Sequence, residues 1–232
     1  MGILETIALS MGIAWASGIN LYAAIGTLGL LGATGHMVLP PELQILQDPA
    51  VIAAAGFMYC VEFFADKVPG VDSSWDVLHS FIRIPAGAVL AAMAVGHVSP
   101  EAELAALILG GGLAATSHGL KSGGRILINS SPEPVSNWVA SVSEDVVVVA
   151  GLTAAVFSPG AFLVALGLFL LLAIWLMPKI WRGIKALFAA LGRVFGGRGA
   201  TAAATASSEA KPAQLFNPKL LSGRQGAIEP PR

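Results

Sequence analysis

Residues 3–31 read ILETIALSMGIAWASGINLYAAIGTLGLL, an apolar stretch interrupted near its middle by Ser17-Gly18-Ile19-Asn20. A straight helix of roughly 30 residues would run about 45 Å, against a hydrocarbon core of about 30 Å. A glycine between polar side chains at that depth predicts a kinked, broken or re-entrant helix, whose freed backbone groups need partners from protein or water. Five further apolar stretches follow at residues 49–65, 81–98, 104–120, 135–157 and 161–177. Together the six predict an all-α, polytopic membrane bundle of about six transmembrane helices.

Composition agrees. Hydrophobic residues make up 55% of the 232-residue chain and charged residues only 12%, and the mean hydropathy is +0.75. Such a chain is solvated mainly by lipid, leaving little for a soluble domain. With the N-terminus in the cytoplasm, all 13 lysines and arginines fall on one side. Lys67, Arg83, Lys121 and Arg125 flank inner turns, and the rest lie from Lys179 onward. The outer connections at 32–48, 96–101 and 158–160 carry none. This positive-inside bias predicts a multi-pass inner-membrane protein with both termini cytoplasmic. Glu5 and the lack of a basic leading region predict that the first apolar segment is retained. The single Cys60 falls within the second stretch and reads as a small buried apolar residue.

The pattern occurs twice. Gly110-Gly111-Gly112 and Ser117-His118-Gly119 interrupt the fourth stretch much as Ser17-Gly18 interrupts the first. Each interrupted stretch is followed by a proline-marked turn, an acid-bearing helix and a plain helix. Glu62 and Asp66 are the acids in the first half, Glu144 and Asp145 in the second. Three spans per half is odd, so the halves, 1–98 and 99–178, would be inverted repeats with Gly-broken first and fourth helices, an architecture common in secondary transporters. Residues 179–195 alternate cations with Trp, Ile, Leu and Phe, as in a basic amphipathic helix at an anionic surface. The composition of residues 196–232 predicts a disordered cytoplasmic tail.

Acids within a span must be paired, protonated or turned to a wet cavity, since each costs a few kcal/mol at that depth. Glu62 and Glu144 are the sharpest coupling candidates, with Asn20, Asp66 and Asp145 beside them; the alternative is that Glu144 and Asp145 are salt-bridged to Arg83, Lys121 or Arg125 and fix helix packing. Asp72, Asp76, His79 and Arg83 recur at steps of four, three and four, hence on one helical face. Asp72 or Ser73 could cap that helix. The run His118 to Arg125, with Lys121, joins cations to flexible backbone suited to an anion. His36 and His97 read as incidental. No nucleophile motif or zinc spacing occurs, so no catalytic residue, cofactor or metal is assigned.

The stretch Glu62-Phe63-Phe64-Ala65-Asp66-Lys67-Val68-Pro69-Gly70-Val71-Asp72-Ser73-Ser74-Trp75-Asp76-Val77-Leu78-His79, with Ser17-Gly18-Ile19-Asn20 upstream, resembles a family of bacterial integral membrane proteins catalogued as domain of unknown function 4126. The resemblance covers about residues 5–178 and implies no activity or substrate. The residues themselves point first to a small secondary carrier, or flippase-like one, for an anionic or amphipathic substrate, coupled to protons through Glu62 and Glu144. Its partners would be the bilayer, an anionic small molecule or a lipid head group, with no nucleic acid; a homo-oligomer is compatible. A second expectation is a metal-dependent enzyme acting on a lipid phosphate through Asp66, Asp72 and Asp76. A third is a non-catalytic scaffold subunit.

Overall fold

The computed structural model describes residues 1–68, 70–96, 98–130 and 134–209, with backbone alone at 134, 191 and from 194 onward. Pro69, His97, the Pro132-Glu133 turn and residues 210–232 of the tail lie outside the described residues. Those described are all-helical: α1 (Ile3–Ala33), a short 3-10 helix (Pro41–Gln47), α2 (Pro49–Ala65), α3 (Val71–Met93), α4 (Pro100–Ile128), α5 (Pro134–Phe157) and α6 (Pro159–Glu209). Local chemistry sets several starts. Asp48 accepts from the Ala50 amide ahead of Pro49, and Ser99 accepts from the Ala102 amide ahead of Pro100. In both, a capping side chain precedes a proline at the first helical position. α3 departs from expectation: Gly70, at φ 87°, precedes it, and Asp72 lies inside its first turn.

The described residues divide into two units, Met1–Leu187 and those from Phe188 onward. α1 is the axis of the first, with 83% of its most apolar window buried. Small residues let α3 and α4 close on each other beside it. A Cβ added at Gly87 would stand 2.7 Å from the Ala114 methyl, and one at Gly110 2.5 Å from the Ala91 methyl. Glycine at such crossings is how membrane helices bring their backbones together. Trp15 of α1 meets the edges of Phe162 and Phe169, at 6.1 and 6.0 Å between ring centres, and so holds α6 to the axis.

Among the described residues four helices are long and apolar enough to cross a membrane: α1, α3, Val135–Phe157 of α5 and Pro159–Ala190 of α6. The 3-10 helix and α2, bent by 66° at their junction, count as a fifth if taken together. α4 is not among them, because Glu101, Glu103, Lys121 and Arg125 dilute its apolar run.

The two interruptions read from sequence have different outcomes. α1 is broken, with Asn20 in extended backbone at φ −148° and ψ 98°. α4 runs unbroken from Pro100 to Ile128, its glycines serving as contact points instead. α6 is helical from Pro159 to Glu209, with Pro178 inside it. Cys60 is exposed, contrary to expectation, because α2 is peripheral and buries only Ala55 and Glu62.

Candidate functional site

The break in α1 and a buried charge network occupy the same place. When Asn20 leaves the helical region, the turn before it loses amide partners for its carbonyls. α4 supplies replacements from one face. The Ser117 hydroxyl lies 2.9 Å from the Trp15 carbonyl, His118 Nδ1 3.3 Å from the Gly18 carbonyl, and Lys121 Nζ 3.0 Å from the Ile19 carbonyl. Asn20 itself restarts the helix: its Oδ1 accepts from the Ala23 amide at 2.9 Å, the geometry of an N-cap. Its Nδ2 donates to Asp145 Oδ1 at 3.0 Å, and Tyr59 donates to the other Asp145 oxygen at 3.0 Å.

Beside the break lie three cations and five acids. Arg83 bridges Glu62 (2.6 Å) and Asp76 (3.1 Å). Lys121 reaches Asp66 at 3.0 Å, Glu62 at 3.3 Å and Glu144 at 3.5 Å. Arg125 holds Glu144 at 2.7 Å and Asp66 at 3.4 Å, with Asp72 at 4.0 Å. Every one of these side chains except Glu144 is almost wholly buried; Glu144 keeps 21% of its side chain accessible. Removing one member of such a pair leaves an uncompensated charge and costs about 3–5 kcal/mol.

The one-face reading of Asp72, Asp76, His79 and Arg83 holds, and the face is buried, not solvated. It sits against α1, α2 and α4 because the outer surfaces belong to Phe57, Phe64, Phe81, Ile108, Leu171 and Ile174, all strongly exposed. His79 Nε2 meets the Tyr22 hydroxyl at 3.1 Å, and His118 Nε2 meets the Ser80 hydroxyl at 2.7 Å. All twelve residues singled out in sequence thus converge on α1 and its neighbours. Asp72 is tied in through Asn129, which donates to both of its oxygens at 2.8 Å. Asn129 in turn accepts from Asn137 at 2.6 Å.

Tyr22, Tyr59, Asn129 and Asn137 were not singled out. Tyr59 stands one helical turn before Glu62, and Asn137 two turns before Glu144, so helical spacing could have flagged both. Asn129 ends α4 and carries no such signal.

Two sequence readings change here. Lys67, Arg83, Lys121 and Arg125 are buried, at 6%, 0%, 7% and 1% exposure, so they are not loop charges of the kind that orient a membrane protein. The orientation bias therefore rests on the nine cations after residue 178. The three anion-attracting cations are also already engaged by carboxylates. Among the described residues, no three of His, Cys, Asp and Glu are grouped as a metal would require. Asp66, Asp72 and Asp76 are each committed to a different cation or amide instead.

One cavity adjoins the break at Ile19, and a second borders the first. The first, about 340 Å³, is lined by Ile19, Ser117, Lys121, Ser143 and Glu144 together with Val147 and Phe169. The other, about 510 Å³, is apolar, lined by Trp15, Gly151, Ala154, Phe162 and Leu166, and shares Val147 and Phe169 with the first.

Apolar outer faces around an ionised interior, on helices long enough to cross a bilayer, are the arrangement of a helical membrane protein. The chain belongs to the family described as Domain of unknown function (DUF4126), whose model matches residues 7–179. No curated protein and no solved structure matches it.

Proposed function

We propose that this protein is a small proton-coupled membrane carrier for an amphipathic substrate, lipid-like in its dimensions. The observation that carries the reading is the break in α1 at Asn20, which lies beside both the buried ion network and a cavity. Discontinuous helices whose freed backbone groups face a site within the membrane are how many secondary transporters build a substrate pocket. The adjoining cavities suit a molecule with a polar end near Lys121 and Glu144 and an apolar body against Trp15 and Phe162. A free inorganic anion fits less well, since Arg83, Lys121 and Arg125 are already neutralised.

The reading takes the chain to cross the membrane six times, α4 being carried by its neighbours, with both termini cytoplasmic. The paired placement of Glu62-Asp66 on α2 and Glu144-Asp145 on α5 supports two related halves, although only α1 is broken. The basic run from Lys179 supports the orientation and an inner-membrane location.

The test uses purified protein in liposomes containing a phospholipid labelled on a short acyl chain, with an impermeant quencher outside. Wild type is expected to expose inner-leaflet label faster than protein-free vesicles, and faster again under an imposed pH gradient. Glu62→Gln and Glu144→Gln are expected to slow exposure with and without the gradient, because each leaves a buried cation short of a carboxylate. Exposure no faster than in protein-free vesicles, with or without the gradient, would overturn the proposal.

A further inference from the structure

Asp145 stands apart from the ion network that surrounds it. Glu62, Asp66, Asp72, Asp76 and Glu144 each have a cation within 4.0 Å, whereas Asp145 has none among the described residues. It is held by two neutral donors from two other helices, Asn20 Nδ2 and the Tyr59 hydroxyl, each at 3.0 Å. The charged groups around it are Asp66 and Lys67 just beyond α2, Lys121 on α4 and its own neighbour Glu144 on α5; α1 contributes only the Asn20 amide. Lys67 feels the charge of Asp145 but lies beyond ion-pair distance, its ammonium being on the Phe63 carbonyl at 3.0 Å, over the Phe63 ring and 3.4 Å from the Ser141 hydroxyl. The assembly as a whole places six carboxylates against four cations, an excess of negative charge that a membrane interior tolerates poorly.

We infer that Asp145 is the proton-binding site of this protein and that its protonation acts on the break in α1 through Asn20. The proton adds to Oδ2, and the Tyr59 hydroxyl, until then the donor, turns to accept from it. Oδ1 remains a carbonyl oxygen and keeps the Asn20 amide, but as a neutral bond roughly half as strong as the charge-assisted one. The grip on Asn20 slackens while its Oδ1 is capping the Ala23 amide, so the two halves of α1 become freer to change angle. A role in coupling rests on the carrier reading; the proton site itself does not.

Acid-minus-base infrared difference spectra of the full chain in lipid nanodiscs test this directly through the protonated-carboxyl C=O stretch. Wild type is expected to show such a band. Asp145→Asn is expected to abolish it, Tyr59→Phe to shift its frequency, and Glu144→Gln to retain it. No band in wild type, or one unchanged in Asp145→Asn, would overturn the inference. If Asp145→Asn does not fold, Tyr59→Phe decides, and an unaltered frequency overturns it. A band of this kind in protein that moves no labelled phospholipid keeps the proton site and removes the carrier reading. Gradient-driven movement without the band removes this inference alone.

Discussion

Lys121 of α4 donates to the Ile19 carbonyl at 3.0 Å, so a cation from one helix closes the turn that another lost. The same ammonium lies within 3.5 Å of Glu62, Asp66 and Glu144. Lys121→Met therefore leaves a buried carbonyl open and removes a cation shared by three carboxylates. The expected loss of stability is about 3–5 kcal/mol, read from unfolding in mixed micelles titrated with a denaturing detergent. A loss below about 1 kcal/mol would show that these groups are hydrated independently of Lys121.

Arg83 and Glu62 are both fully buried, and each is the other's nearest opposite charge at 2.6 Å. Arg83→Met alone and Glu62→Gln alone are each expected to cost about 3–5 kcal/mol. The double variant is expected to cost less than the sum, with a coupling of about 1–3 kcal/mol in the same titration. Additive losses would mean that water inside the bundle screens the pair. Arg83→Lys is expected to be poorly tolerated as well, since a single ammonium cannot take the place of a forked guanidinium between Glu62 and Asp76.

Gly18 faces α4, and a Cβ there would run into the Ser117 hydroxyl and the Ala114 carbonyl. Backbone cannot step aside, so Gly18→Ala is expected to lower stability by about 1–3 kcal/mol by pushing α1 off α4. Gly112 has nothing within 4 Å of its added Cβ. Gly112→Ala is therefore expected to be neutral or to stabilise by up to about 1 kcal/mol through helix propensity alone. Equal effects at the two positions would contradict the close α1–α4 crossing.

Asn20 has two jobs with separable signatures. Asn20→Ala removes the cap on Ala23 and is expected to cost about 0.5–2 kcal/mol. Asn20→Asp keeps an oxygen for the cap but sets a carboxylate against Asp145 in place of a donor. It is expected to be the worse of the two at neutral pH and to recover on acidification, as either carboxyl takes up a proton. Detergent-titration midpoints at two pH values check this; pH-independent stability in Asn20→Asp would exclude direct contact with Asp145.

Much of this was legible in the chain. Excess length and the polar interruption in residues 3–31 located the break within residues 17–20, because a bilayer sets helix length. The steps of four, three and four through Asp72, Asp76, His79 and Arg83 predicted their common face. What spacing could not supply was the partner. Whether a glycine breaks a helix or only lets a neighbour approach depends on what lies opposite it, and α4 proved continuous for that reason. Glu62 and Glu144 stood out as coupling acids because they sit deep, yet cations hold them both, Glu144 through Lys121 and Arg125 as its alternative reading had it. Asp145 looked secondary, and among the described residues of this cluster it is the acid with no cation within 4.0 Å.

Ser143, exposed on α5, lines the cavity beside Lys121 and Glu144, whereas Leu171 is exposed on the outer face of α6. The central claim is that water reaches the ionised interior at the α1 break. The most direct measurement labels single cysteines at these two positions, in a Cys60→Ser background and in intact membranes, with a membrane-impermeant maleimide. Ser143→Cys is expected to react, because a thiol must ionise in water to do so, while Leu171→Cys stays unmodified. No reaction at Ser143→Cys, or equal reaction at both positions, would contradict a wet interior.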